Sequence, residues 1–98
     1  MSKNLTLQDL LDRGVSYRRI DHWTRKGWLQ PAHQGGTGHN REWPQHELQV
    51  ADLMGRLVDA GIAVDVAALA ARAHINGRKR IRLAYGITLT IDTAEASR

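Results

Sequence analysis

Five side chains crowded between Ser16 and Gly27 suggest the first chemistry: Arg18, Arg19, His22, Arg25 and Lys26. At 100° per residue, Arg18, His22 and Arg25 fall on one side of a helix, with Arg19 and Lys26 flanking them. Ile20, Trp23 and Gly27 fall on the opposite side and are expected to face inward. Asp21, the only acid in this stretch, lies off the cationic arc. The plain alternative is a solvated polar face, but such faces usually mix both signs. Arg18 and Arg19 also occupy the first turn, where the positive end of the helix dipole disfavours cations by about 0.3–1 kcal/mol each. An external anion near that end reverses the sign, and nucleic-acid phosphates supply one. Arg18 or Arg19 is the expected base reader, since arginine pairs bidentately with guanine.

A second cluster, His39, Asn40 and Arg41, adjoins the glycine-rich run Gly35-Gly-Thr-Gly38. Glycines let backbone approach a phosphate chain closely, so this loop is expected to grip backbone or minor groove.

Enzymatic chemistry finds no support. The histidines (His22, His33, His39, His46 and His74) lack metal-ligand spacing, and there is no cysteine to assist. Asp9, Asp12, Asp52, Asp59 and Asp65 read as capping or helix-surface residues, with no paired-carboxylate arrangement. No phosphate-loop, nucleophile-elbow or dinucleotide motif occurs. No catalytic residue, metal or cofactor is expected.

These residues need positioning elements. Thr6-Leu-Gln-Asp9 has the form of a capping box, and Gly14 ends the short helix that it opens. Ser16 is the expected N-cap of the cationic helix, which includes Tyr17 and closes at Gly27. The connection has helix-turn-helix length. Residues 28–31 and 41–43 read as two extended pieces around the glycine tip, a β-hairpin wing. Pro44 suits the start of a third helix over 45–60, with Val50, Leu53, Met54, Leu57 and Val58 buried. An alanine-rich fourth helix covers 64–74. Trp23, Trp28 and Trp43 are expected to be core rather than base-stacking platforms.

The tail begins with the basic knot Arg78-Lys-Arg80 and then alternates: Ile81, Leu83, Tyr85, Ile87, Leu89 and Ile91 are apolar. Period two means strand. Either one long strand or a hairpin with an odd-length loop centred on Gly86 keeps these side chains on one face. A two-residue turn at Tyr85-Gly86 would set Leu83 opposite Thr88 and mix the faces. The fold class is thus mainly α, a winged helix-turn-helix over 1–76 with a C-terminal strand or hairpin over 77–98. That strand is expected to mediate a homodimer or to cap the helices.

Composition agrees. The 98 residues are 42% hydrophobic and 24% charged, which suits one small globular domain. Net charge is +4, favouring a polyanionic partner. No apolar run reaches membrane-helix length and none follows the N-terminus as a signal peptide would, so no membrane partner and a cytoplasmic location are expected.

The run Val15-Ser-Tyr-Arg-Arg-Ile-Asp-His-Trp-Thr-Arg-Lys-Gly-Trp-Leu-Gln-Pro31 resembles the signature of the MerR family, a recognition helix followed by Gly-hydrophobic-Leu-x-Pro. Arg41-Glu-Trp43 is similar to the family's Arg-x-aromatic wing end, and Arg56-Leu-Val-Asp-Ala-Gly-Ile62 to the end of its next helix. The resemblance covers residues 5 to 74. It implies a winged helix-turn-helix that binds double-stranded DNA, usually as a dimer on a pseudo-palindrome. Asp21 follows the branch with Asp at this position, where many members carry Arg. The family normally continues into a long coiled-coil helix and an effector domain, whereas here the residues after the fourth helix read as strand. Three functions follow as expectations: a transcriptional regulator, an excisionase that directs recombination, or a protein-interaction module built on residues 81–91.

Overall fold

The computed structural model describes residues 5–32 and 42–92. Four helices and a two-stranded sheet follow in order: α1 (Leu7–Asp12), α2 (Tyr17–Arg25), α3 (Gln45–Asp59), α4 (Val64–Ile75), β1 (Arg80–Ala84) and β2 (Ile87–Thr90). The Thr6 hydroxyl accepts from the Asp9 N–H, and the Asp9 carboxylate accepts from the Thr6 N–H, completing the capping box. Ser16 Oγ accepts from the Arg19 N–H at 3.2 Å and caps α2. At the end of α2 the Trp28 N–H donates to the Trp23 carbonyl and the Gly27 N–H to that of Thr24. This six-to-one and five-to-two pairing needs a left-handed residue, and Gly27 supplies it with φ +83°. Residues 28–31 are therefore the turn that leaves α2, where an extended strand was expected. Among the described residues neither side of the wing is a strand. One hydrogen bond, from the Ala32 N–H to the Glu42 carbonyl at 2.8 Å, joins the two sides at the root. The expected loop over 33–41 lies outside the described residues.

The core lies between α3, α4 and the helix-turn-helix. Leu10, Val15, Ile20, Trp23 and Leu29 meet Leu48, Val50, Leu53 and Met54 of α3 there, all buried. Val58 is only half-buried at its edge. Trp28 and Trp43 pack half-buried against the same cluster. The thin apolar face of α4 has a structural explanation: Ala67, Ala68, Ala70 and Ala71 are buried, and their small side chains let α4 lie close along α3.

The tail corrects both geometries expected for it. It is an antiparallel hairpin with the two-residue turn Tyr85-Gly86, and Gly86 takes φ +75°. Ala84 pairs with Ile87, which alone would put every earlier pair out of phase. A bulge between Arg82 and Ala84 absorbs one residue. Ile81 then faces Leu89, Arg82 faces Thr88, and Arg80 faces Thr90. The bulge restores the phase between Arg80–Arg82 and Thr88–Thr90, whereas Tyr85 and Ile87, expected on the apolar face, stand exposed at the turn. Ile81 is buried in the common core, with Leu83, Leu89 and Ile91 packed half-buried against it. This face caps the helices.

Candidate nucleic-acid interface

The cationic helix stands as its spacing predicts. Ile20 and Trp23 are buried, whereas Ser16, Tyr17, Arg18, His22, Arg25 and Lys26 are exposed. No acid occupies the first turn of α2. His22 sits edge-on to Trp28, with centroids 6.5 Å apart, which holds the ring at the outer end of the arc.

Two of the guanidinium groups are not free of acids, contrary to the expected all-positive ridge. Arg25 Nε lies 3.0 Å from Asp21 Oδ2, because one helical turn brings the off-arc acid within reach. Arg19 turns further inward: its Nη2 lies 3.1 Å from Asp59 Oδ1 of α3, and its guanidinium carbon stands 5.9 Å from the Trp23 ring centroid. Arg25 and Asp59 are well exposed in these pairs, so each pairing contributes only about 0–1 kcal/mol. Arg18 and Lys26 make no ion pair with any described residue. Of the two candidate base readers, Arg18 points outward and Arg19 lies against the α3 flank. His39, Asn40 and Arg41 lie outside the described residues.

One stripe of α3 holds the helix-turn-helix. Asp52, Gly55 and Asp59, at i, i+3 and i+7, face it in turn. Buried Asp52 binds Arg13, the C-cap of α1, at 3.0 Å and Arg56 at 3.3 Å. Gly55 receives Val15 of the connecting turn, and Asp59 meets Arg19. Asp52 was expected on the helix surface; it is instead 5% exposed, its charge offset by two arginines. Its position beneath the α1–α2 turn is the reason, and no local pattern reveals it.

A second device fixes the start of the wing. Glu47 of α3, 3% exposed, pairs through both carboxylate oxygens with the Arg72 guanidinium of α4. Arg72 Nη2 also donates to the Trp28 carbonyl at 2.8 Å, and Glu47 Oε1 accepts from the Gln30 N–H at 2.8 Å. His46 Nε2 lies 3.0 Å from Glu47 Oε2. Burial pushes the Glu47 carboxyl up, but the Arg72 and Gln30 hydrogen bonds outweigh it and hold it below the usual value. The Glu47 hydrogen bond raises Arg72 against its own desolvation. Sequence reading missed this pair, since 25 residues separate its members. A glutamate in the first turn of a helix reads locally as a dipole partner.

Among the described residues no group of three or more His, Asp or Glu could hold a metal ion. Nor is any helix long and apolar enough to cross a membrane. The described surface offers positive charge and hydrogen-bond donors on a supported helix.

The family model for MerR helix-turn-helix regulatory proteins matches residues 12–74. No curated protein and no solved structure matches the chain. The matched stretch runs from the end of α1 through α2, the wing region and α3 to nearly the end of α4, covering most of the chain. The protein belongs to the MerR family of helix-turn-helix regulatory proteins, whose members bind DNA.

Proposed function

We propose that the protein is a sequence-specific transcriptional regulator that seats α2 in the major groove of double-stranded DNA. The observation that carries this reading is the single exposed arc of Arg18, His22, Arg25 and Lys26 on a helix with no acid in its first turn. Arg18 reads base edges from the first turn, where recognition helices commonly make their base contacts. Ser16, Tyr17, Arg25 and Lys26 set register on phosphates, and Arg19 joins them by exchanging Asp59 for the backbone. His39, Asn40 and Arg41 contact the adjacent backbone or minor groove. Selection of bound sequences from random duplex DNA at two salt concentrations tests the reading: a shared motif supports it, and no enrichment overturns it.

A second reading is an excisionase that directs recombination. It is favoured by one observation: after α4 the chain turns into a hairpin at Arg80, where the family normally continues into a dimerisation helix. Footprinting separates the two, since an array of direct repeats marks the excisionase and one inverted repeat over a promoter marks the regulator. Pairing of two copies through the hairpin would accompany the inverted repeat, and light scattering of the full chain reads it.

A further inference from the structure

The bulge in the hairpin has an effect on its outward side as well as on its core side. It leaves Arg80 opposite Thr90 and Arg82 opposite Thr88, all four exposed on one face. Together with Arg78 they line one surface depression. Residues 78–91 contain no acid. Arg78, Lys79, Arg80 and Arg82 make no ion pair with any described residue, whereas α2 engages two of its arginines with acids. Among the described residues, where Asp92 just past Thr90 is the first acid, the hairpin is thus the less compensated of the two basic surfaces. Arg80 and Arg82 stand about 7 Å apart at the usual strand rise, with a threonine hydroxyl beside each. Guanidinium and hydroxyl groups are both common donors to phosphate oxygens. The ribbon is also anchored, because Ile81, between the two arginines, is buried in the core. Its backbone is therefore held in place before any ligand arrives.

The hairpin is joined to α2 by surface. A depression lined by Gly27, Trp28, Asp65 and Leu69 meets another lined by Leu69, Arg78 and Arg82, and Arg72 borders both. We propose that the outward face of the hairpin is a second DNA-backbone contact, in which Arg80, Arg82, Thr88 and Thr90 hold phosphates of the duplex that α2 engages. This rests on the DNA-binding reading above and assigns a contact outside residues 12–74. Such a contact carries affinity without sequence information.

The test is a set of salt titrations on the full chain with a mixed-sequence duplex of about 30 base pairs, three helical turns. Each lost phosphate contact lowers the slope of log affinity against log salt by about 0.9. R80A/R82A should therefore flatten the slope by about 1.8, so that a fourfold rise in salt costs the variant roughly 12-fold less affinity than it costs the wild type. Affinity at low salt should fall for every sequence alike, R80K/R82K should keep most of the slope, and R80E/R82E should lose more than R80A/R82A. An R80A/R82A variant with wild-type affinity and slope overturns the hairpin contact while leaving the α2 reading intact. Lost affinity with an unchanged slope overturns it too. Wild-type protein that binds no duplex at all overturns the DNA-binding reading itself. Thermal unfolding checks each variant, and R80Q/R82Q carries the same test should R80A/R82A fail to fold.

Discussion

The β-carbon that Gly55 lacks would lie 2.7 Å from Cγ2 of Val15, closer than real side chains approach. The glycine is what lets α3 lie directly beneath the turn between α1 and α2. Gly55→Ala should gain up to about 1 kcal/mol of helix propensity and lose more to overpacking, for a net destabilisation of about 1–2 kcal/mol. A chain of this size loses roughly 4–8 °C of melting temperature per kcal/mol. Adding Val15→Ala removes the clashing methyl, so the double variant should be more stable than the sum of the single changes allows. Thermal denaturation of the four proteins checks it, and strict additivity would refute the contact.

Glu47 and Arg72 give a stability prediction with a pH signature. Glu47→Gln leaves Arg72 without its counter-charge and should cost roughly 3 kcal/mol, read by urea unfolding at neutral pH.

The same carboxyl has a lowered value in the folded chain, so the unfolded chain binds more protons in the interval between the two values. Stability from this group is thus fully present above the ordinary glutamate value of 4.5 and is lost as pH falls through the lower folded value. Unfolding free energy measured from pH 6 downward should fall less in Glu47→Gln than in wild type below about pH 4.5. Parallel curves would remove Glu47 from the acid response.

Arg18 and Arg19 are neighbours with different surroundings, and substitution should separate them. Arg18→Ala should weaken binding to a selected site by about 1–3 kcal/mol and relax preference at one base position, with little change in stability. Arg19→Ala removes the contacts to Asp59 and the Trp23 ring, and should weaken all sequences evenly while lowering the melting temperature. Binding titrations on selected and scrambled duplexes decide between them.

Asp59→Asn is the converse. It removes an exposed acid from beside α2 and leaves Arg19 without that ion pair. Non-specific DNA binding at low salt should tighten, and the slope against salt should steepen. Unchanged binding would mean that Arg19 never leaves the α3 flank.

The residues of this chain announce what is local. Thr6 and Asp9, Ser16, and Gly27 mark helix ends because each acts within one turn, and α1 and α2 lie where those residues put them. The inward positions of Ile20 and Trp23 follow from helical period alone. Contacts between distant segments were hidden: Glu47 with Arg72, Asp52 with Arg13, and Gly55 with Val15 depend on how α3 crosses the other helices. The inward turn of Arg19 was hidden for the same reason, since its position on the wheel at the edge of the arc is neutral until α3 supplies Asp59. In the tail, alternation named the strands but not the turn. A bulge changes the phase by one residue and leaves no mark in a period-two pattern, so Leu83 gave no signal.

The clamp of Arg72 on the Trp28 carbonyl and of Glu47 on the Gln30 N–H, with the Ala32–Glu42 bond just beyond, holds both ends of the wing before the wing itself is considered. Closing a loop between ends already held together is cheap in chain entropy: doubling its length adds only about 0.6 kcal/mol. Ala32 and Glu42 are accordingly a fixed frame, so lengthening the segment between them costs little in chain entropy. Such a change leaves the supports of α2 undisturbed.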